Sequence, residues 1–424
     1  MSRSLSLTLG SPKKPTSPRS LFPISPRKAS LPPPSPSRLM ALPTIKPLVI
    51  TDRRTPVVET IHTEFPSTEI VSCGANEHGQ CGQSGASRSS LSMSKVTLDS
   101  RQIIQVSCGA NHCIALNREG NVFSWGANDH YQLGLTDYDT SVDQPLSVQY
   151  NLRKETITKV CAGSNFSAAI SDSGKAFTWG LNHRGQLGHG DDDGRDVPER
   201  VRELCSEKLS SVACGDAFII FVTSSGSLYS CGENLNGELG LGAFDECKYS
   251  PEPVPELVYV KKVCAGAKHC IAITKVNSVY AWGDNSNHQL ALGPEAYQQY
   301  RVPTKLKFNQ KIKDIGATKS KSILLCEYGI VYVYGGQTLP VQCNLSKILN
   351  IYCSPCTDAW LSVHVSGSST VHNSTVLYKS PNDRILSAGL GEGHIAMVIT
   401  KDPVIKVIKA FYDIHIITRT QLRI

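Results

Sequence analysis

The sequence of 424 residues predicts an all-β fold, a seven-bladed β-propeller that follows a disordered basic N-terminal tail. Two observations predict the propeller. A segment centred on Trp-Gly or Cys-Gly recurs with a period of about 50 residues, and a second glycine-centred segment recurs between its copies. One observation predicts the tail: the first 50 residues hold eight basic side chains, eleven prolines and no acidic side chain.

The predicted tail covers residues 1–62. Proline at this density interrupts helices and sheets, and too few large apolar side chains are present to offset the entropy cost of ordering. Four Ser-Pro units beside basic residues are candidate sites for proline-directed kinases; they begin at Ser11, Ser17, Ser25 and Ser35. Basic pairs in the same units could bind DNA phosphates or a nuclear import receptor, namely Lys13, Lys14, Arg27 and Lys28.

Three interpretations of the tail stay open: a nuclear or chromatin-associated arm controlled by phosphorylation, a solvated arm without a partner, and a mitochondrial transit peptide. An acid-free composition rich in Arg and Ser suits a transit peptide, but the prolines interrupt the amphipathic helix that such peptides form. The sequence therefore favours the nucleus or the cytoplasm. The whole chain carries +7 and the first 50 residues carry +8, which leaves about −1 for the rest. The tail is thus the predicted contact for a polyanion.

The segment centred on Trp-Gly or Cys-Gly is the clearer half of the repeat. Its copies read SCGANEHGQCG, SWGANDHYQLG, TWGLNHRGQLG, SCGENLNGELG and AWGDNSNHQLA, from Ser72, Ser124, Thr178, Ser230 and Ala281, with a degraded VYGG from Val333. The residue before the first glycine advances by 52, 54, 52, 51 and 52 positions. Such regular spacing indicates stacked supersecondary units.

The other half of the repeat is a second set of glycine turns. They lie at Gly109, Gly163, Gly215, Gly266 and Gly316, then in a degraded copy at 348–365, and last at Gly389. Short apolar runs and hairpin signals separate the two halves. Each unit is therefore predicted to hold four short strands, and a radially repeated four-stranded unit is a propeller blade.

Counting these units predicts seven blades within residues 63–402. The first half-repeat, at Cys73, has no partner before it, and the last, at Gly389, has none after it. Pairing them in one blade would close the ring and remove two exposed sheet edges. The sixth unit is short and lacks a GQLG sequence, so a six-bladed ring is the alternative. Residues 403–424 form a C-terminal extension whose structure the sequence does not predict.

The repeated polar and aromatic residues are predicted to be architectural. Trp125, Trp179 and Trp282 supply large apolar bodies between neighbouring blades. The histidines three residues beyond a turn glycine are His112, His269 and His394. We expect them to hydrogen-bond the backbone of a neighbouring blade, with catalysis or metal binding as the alternative.

No nucleotide- or phosphate-binding motif is found in the sequence, and we predict no cofactor. The fifteen cysteines recur in small-residue contexts rather than in a pairing pattern, which predicts reduced thiols and an intracellular setting. The sequence has no run of about 18 apolar residues, so no membrane span is predicted. We identify no confident catalytic residue, no metal ligands and no phosphate-binding loop, and we predict a monomer.

The two half-motifs together resemble the regulator of chromosome condensation repeat. The resemblance rests on V-x-x-G-x-x-H/F paired with W-G-x-N-x-x-G-Q-L-G and spans residues 68–400. This family folds as a seven-bladed propeller, and its founding member is a nuclear guanine-nucleotide exchange factor for the small GTPase Ran. The resemblance therefore implies the same fold and suggests protein partners.

The resemblance also implies a set of candidate GTPase-facing residues: Ser164, Asp216, His269 and Lys319. In relatives with exchange activity, acidic residues follow the turn glycine of the second and third complete repeats. Here Ser164 is not acidic, Asp216 is, and Lys319 lies where a histidine is expected. We therefore expect a regulatory protein-interaction propeller, and the sequence leaves open whether it has enzymatic activity. Exchange on a Ran-type GTPase is the alternative function.

Overall fold

A computed structural model describes residues 67–401, apart from 86–87, 99–101, 139, 244, 294–297, 337–340, 344, 346, 367 and 373–382. The predicted tail with its phosphorylation and basic sites, and the C-terminal extension, lie outside the described residues. The described strands form seven antiparallel sheets, so the seven-bladed propeller is confirmed and the six-bladed alternative is wrong.

Blades 1 to 4 each contain four strands in chain order. Blade 1 comprises β3 (Ile103–Cys108), β4 (His112–Asn117), β5 (Val122–Ala127) and β6 (Ser141–Val148). Blade 2 comprises β7 (Ile157–Ala162), β8 (Phe166–Ser171), β9 (Ala176–Gly180) and β10 (Arg195–Arg200). Blade 3 comprises β11 (Leu209–Cys214), β12 (Phe218–Thr223), β13 (Leu228–Glu233) and β14 (Cys247–Pro253). Blade 4 comprises β15 (Val260–Ala265), β16 (His269–Thr274), β17 (Val279–Asp284) and β18 (Gln299–Lys305).

Blades 5 to 7 complete the ring. Blade 5 comprises β19 (Ile312–Ala317), β20 (Ser322–Cys326), β21 (Val331–Tyr334) and β22 (Val341–Cys343). Blade 6 has three described strands, β23 (Ile348–Tyr352), β24 (Trp360–His364) and β25 (Ser369–His372). Blade 7 comprises β26 (Asp383–Leu390), β27 (His394–Lys401), β1 (Thr68–Ala75) and β2 (Ser89–Val96).

Blade 7 closes the ring with strands from both ends of the repeat array. β27 and β1 pair continuously, from Thr68 opposite Thr400 to Gly74 opposite His394. The unpaired half-repeats in the sequence therefore complete each other, as predicted. This pairing removes two sheet edges that would otherwise expose unpaired backbone groups.

Blade 5 corrects one sequence alignment. β19 continues to Ala317, so Thr318 rather than Gly316 occupies the turn position. Gly316 lies within the strand, where a Cβ atom would approach the Cys353 Sγ of blade 6 to 2.4 Å. The glycine is therefore explained by close packing of blades 5 and 6 rather than by a turn.

The architectural roles of Trp and Asn are confirmed. Trp125, Trp179 and Trp282 are fully buried, and each indole N–H donates to a backbone carbonyl of the preceding blade, at 2.8–3.0 Å. The side-chain oxygen of Asn128 accepts the backbone N–H of Leu133 at 3.0 Å, and the repeated asparagines of the other regular blades make the same bond. Burial and hydrogen bonding thus fix the loops between third and fourth strands.

Helical structure among the described residues consists of two short 3-10 turns, Tyr150–Leu152 and Arg202–Leu204. No helix in that part of the chain is long and apolar enough to cross a membrane.

Candidate functional site

One edge of the ring gathers two kinds of connection from every regular blade. Strands alternate in direction, so the turns between first and second strands and the loops between third and fourth strands emerge at the same edge of each sheet. We call this edge the turn face. The hairpins between second and third strands emerge at the opposite edge, the hairpin face.

An inner ring of seven residues lies at the first turns of the turn face. Its members are Ala110, Ser164, Asp216, Ala267, Lys319, Thr357 and Glu392. Backbone N–H groups of this ring donate to ring carbonyls of the adjacent blade at five of the seven seams, over 3.0–3.3 Å. The backbone positions are therefore fixed by the fold, while the side chains differ from blade to blade.

An outer ring lies on the loops between third and fourth strands. In blades 1, 2, 3, 4 and 7 a buried Asn is followed by an exposed residue. These exposed residues are Glu77, Asp129, His183, Leu235 and Ser286. Two residues farther on, Tyr131 of blade 1 is 46% exposed in the same loop. A repeated buried framework thus presents dissimilar acidic, basic, polar and apolar side chains to solvent.

The structure places three of the four candidate GTPase-facing residues in the inner ring. Ser164 and Asp216 are half-buried and Lys319 is exposed. His269 is different, because its ring is fully buried between blades 4 and 5. Its side chain therefore does not reach the turn face, a correction that sequence could not make without knowing which way β16 faces.

Asp358 of blade 6 was missed by the sequence analysis and joins two blades at this face. Its carboxylate accepts hydrogen bonds from the Thr318 hydroxyl at 2.9 Å and from the Ser320 N–H and hydroxyl at 2.8 and 2.7 Å. Burial acts to raise the pKa of Asp358, but these hydrogen bonds outweigh it and leave the pKa below its usual value. The negative charge of Asp358 thus caps the Thr318 turn where the other regular blades use glycine.

The repeated histidines bridge neighbouring blades through side-chain hydroxyl groups, and His269 also interacts with the Lys321 backbone of blade 5. His112 Nε2 lies 3.0 Å from the Ser167 hydroxyl of blade 2, and His269 Nε2 lies 3.1 Å from the Ser322 hydroxyl of blade 5. Burial lowers the pKa of His112 to about 3 and that of His269 to about 4. Both rings are therefore neutral structural groups at neutral pH.

The innermost strands line an axial cavity of about 440 Å³. Cysteines from five blades border it, namely Cys108, Cys161, Cys214, Cys264 and Cys353. A hydrogen bond from Cys214 lowers the pKa of Cys161, whereas burial raises the pKa of Cys214. All fifteen cysteines are free thiols, in agreement with the predicted reduced state.

Lys262 adds a positive charge to this cavity. Its ammonium group lies 2.5 Å from the Asp314 carboxylate and 3.0 Å from the Ile315 carbonyl. Burial opposes the charge, but Cys264 and Asp314 outweigh it and hold the pKa of Lys262 above its usual value. The axial cavity is therefore a polar, thiol-rich space.

One side-chain group among the described residues has donors arranged as for a metal ion: Cys108, Cys113 and His394. The sequence analysis predicted no metal ligands, because it relied on spacing. Cys113 and His394 are 281 positions apart and meet only when blade 7 closes the ring.

Comparison with known proteins identifies the repeat. Residues 67–397 match the family model of the RCC1-like domain. The chain is 30% identical over 326 residues to the ultraviolet-B receptor UVR8 of Arabidopsis thaliana, across 74% of this chain and 72% of that protein. It is 33% identical over 263 residues to the human E3 ubiquitin-protein ligase HERC2, across 60% of this chain but 5% of HERC2.

Solved structures share the fold at lower identity. Prp20p of Saccharomyces cerevisiae superposes with a TM-score of 0.71 at 20% identity, over 80% of this chain and 93% of that chain. Human WBSCR16 superposes with a TM-score of 0.70 at 20% identity, over 80% and 100%.

Proposed function

Because the chain belongs to the family of proteins with an RCC1-like domain, we propose that it is a regulatory protein-interaction propeller that binds its partner on the turn face. The observation that carries the proposal is the contrast between a repeated buried framework and the dissimilar exposed residues of the two rings. Residues that only maintain a fold repeat with the blades, as the asparagines do here. Side chains that recognise a partner need to differ.

The chemistry of the two rings suits a protein partner. The inner ring combines Asp216, Lys319 and Glu392, so charges of both signs surround the mouth of the axial cavity. The outer ring adds exposed Tyr131 and Leu235, at 46% and 41%. Charges of both signs beside exposed apolar groups suit a protein interface, where charges set orientation and aromatic groups supply much of the binding energy.

Exchange on a Ran-type small GTPase is the second candidate. The yeast protein Prp20p, which shares the fold, binds Gsp1p and histones. An acidic residue in the inner ring, Asp216, favours exchange, since an acidic group near the nucleotide can displace bound magnesium or phosphate. Ser164, Lys319 and buried His269 argue against it. We therefore rank exchange below a binding-only role.

We further propose a nuclear or cytoplasmic monomer whose tail contacts DNA, chromatin or an import receptor. Lys13, Lys14, Arg27 and Lys28 would make these contacts, and phosphorylation of Ser11, Ser17, Ser25 and Ser35 would weaken them by adding negative charge. Replacing the four basic residues by alanine should move a fluorescent fusion from nucleus to cytoplasm. Unchanged nuclear accumulation would contradict this role.

A paired charge reversal tests the turn face. The variant Lys319→Glu with Glu392→Lys alters two exposed inner-ring residues without changing net charge. The control, Glu119→Lys with Lys275→Glu, makes the same reversal at exposed hairpin-face residues. Quantitative affinity capture with the full chain should lose specific partners in the first variant only. Equal partner sets from both variants would contradict the turn face as the binding site.

The same proteins separate the two candidate functions. Release of labelled GDP from a Ran-type GTPase is measured with catalytic amounts of the wild type and of Asp216→Ala. We expect no acceleration. Strong acceleration that Asp216→Ala abolishes would overturn the binding-only role in favour of exchange, whichever partners are captured.

A further inference from the structure

A cluster of two thiols and one imidazole lies buried at the seam between blades 7 and 1. Cys108 at the end of β3 and Cys113 on β4 are register partners in blade 1, and their sulfur atoms lie 2.9 Å apart. His394 at the start of β27 brings its Nε2 atom to 3.2 Å from the Cys113 Sγ. All three side chains are 2% exposed or less. We propose that this cluster, the thiol seam, binds one soft d10 cation, Zn²⁺ or Cu⁺.

The donor set and its size suit such a cation. Thiolate sulfur and imidazole nitrogen are the ligands that Zn²⁺ and Cu⁺ prefer. The three donor atoms lie within 4.8 Å of one another. Two metal–sulfur bonds of about 2.3 Å span at most about 4.6 Å, so one ion can reach all three donors after small side-chain movements. Binding moves the two sulfurs apart and releases one proton for each thiolate formed.

The cluster is specific to one seam. The positions of Cys108 and Cys113 hold Ala162 and Ser167 in blade 2, and Ala317 and Ser322 in blade 5. The position of His394 holds Phe166 in blade 2 and Phe218 in blade 3. Among the seams compared, the thiol seam alone has all three ligands. The fold therefore does not require these residues there.

A cation could reach the seam from the axis of the ring. Cys108 borders the axial cavity of about 440 Å³, although its side chain is only 2% exposed. Once bound, the ion would join the C-terminal strand β27 to blade 1, next to the strands that close the ring. Because the unfolded chain would not hold these ligands together, binding would stabilise the closed ring.

The sibling blades supply replacements that the fold already accommodates. The test variants are Cys108→Ala, Cys113→Ser and His394→Phe. The control is His269→Phe, at a seam where the positions of the two thiols hold Ala317 and Ser322. Each full-length protein is reduced with a phosphine, stripped with a chelator and titrated with Zn²⁺ or Cu⁺ against a competing chromogenic chelator. Circular dichroism and the melting temperature establish folding for each.

We expect wild type and His269→Phe to bind one equivalent and to melt at a higher temperature when loaded. Each seam variant should bind at least tenfold more weakly, and its melting temperature should not respond to metal. Tighter binding in the zinc arm or in the copper arm identifies the ion. The proposal fails if the seam variants bind as the wild type does. A second outcome also contradicts the proposal. The wild type, stripped of metal, would contain a Cys108–Cys113 disulfide, detected as a loss of two hydrogens in mass, and would take up no metal once that disulfide is reduced.

Discussion

Blades 2 and 6 solve the same packing problem with opposite arrangements. In blade 2 the small Ser167 on the second strand lies opposite Trp179 on the third. In blade 6 the large residue is on the second strand, where Trp360 lies opposite His372, and the two rings stack with centroids 3.9 Å apart. Both tryptophans are buried, at 0% and 3% exposure. In these two blades the pair therefore holds a large indole ring, and either strand can supply it.

Blade 3 shows a third arrangement with no large ring. Ile219 and Cys231 occupy the two positions, and both are fully buried. The two positions of the pair are thus filled by different combinations of side chains in blades 2, 3 and 6. Close-packed interiors tolerate such exchanges when neighbouring side chains fill the remaining volume. The comparison teaches that the pair, not the tryptophan, is the repeated unit.

Removing the large ring should have the largest effect. Trp179→Ala should lower the free energy of unfolding by about 3–5 kcal/mol, because it empties a buried site and loses the hydrogen bond to the Gln132 carbonyl. Trp360→Ala should lower the free energy of unfolding by a similar amount, although Trp360 lies on the second strand of its blade rather than the third. Chemical denaturation measures both.

Cys231→Ala is the matched control, because it removes only about one methylene equivalent at the position of Trp179. It should cost about 1 kcal/mol. A loss for Trp360→Ala no larger than that of Cys231→Ala would break the equivalence of blades 2 and 6.

The sequence predicted the strands and turns that recur from blade to blade. It did not predict the positions at which residues have been exchanged between strands. Regular spacing was enough for the four-stranded blades and for the closing of the ring by blade 7. The exchange in blade 6 was not recognised, because a motif search looks for Trp on the third strand and His372 stands there. The turn in blade 5 was misplaced because Gly316 resembles a turn glycine in sequence while serving close packing.

The candidate site was predicted in part for a related reason. Ser164 and Asp216 follow turns whose position the repeat determines, so their place in the inner ring was accessible from sequence. Lys319 lies in the inner ring because the blade 5 turn is two residues later than the sequence predicted. His269 differs by lying two residues farther on, inside β16, where side-chain direction rather than position decides exposure. The thiol seam depends on contact between residues from opposite ends of the array, which no local pattern records.

A double-mutant cycle sharpens the comparison at blade 3. Cys231→Trp overpacks the seam beside Ile219 and should cost about 1–3 kcal/mol. Adding Ile219→Ser recreates the pair of blade 2 and frees volume for the indole, whose N–H can donate to the Gln186 carbonyl as Trp179 does to Gln132. The double variant should be about 1–3 kcal/mol more stable than the two single losses predict. Simple additivity in urea unfolding would mean that the pair is not the packing unit.

Acid should weaken regular seams that contain a buried histidine. The pKa of His112 is about 3 and that of His269 about 4 in the folded protein, against 6.5 unfolded. Their stabilisation is therefore complete above pH 6.5 and is lost as pH falls towards these values. At pH 5.5 each histidine should lower the free energy of unfolding by about 1 kcal/mol relative to pH 7.5. Replacing both by Phe, as in blades 2 and 3, should reduce the acid dependence; an unchanged dependence would assign it to other groups.

The smallest effect concerns Glu238 of blade 3, where blades 1, 2, 4 and 7 have Gln. Its carboxylate is fully buried and accepts two hydrogen bonds from Asn236, both 2.8 Å long. Burial raises the pKa of Glu238, and the bonds from Asn236 offset this only in part. Relative to Glu238→Gln, the wild type is therefore most stable below pH 4.5. Its relative stability falls as pH rises through the pKa of Glu238 in the folded protein.

Glu238→Gln should consequently be up to about 1 kcal/mol more stable than wild type at pH 8, with the gap closing in acid. Gln132→Glu, the reverse change at the equivalent buried position of blade 1, should be less stable than wild type at pH 8. Denaturation of the three proteins between pH 4 and pH 8 measures both differences. A Glu238→Gln protein less stable than wild type at pH 8 would show that blade 3 depends on the carboxylate, and that its Glu is a functional departure from the repeat rather than a tolerated one.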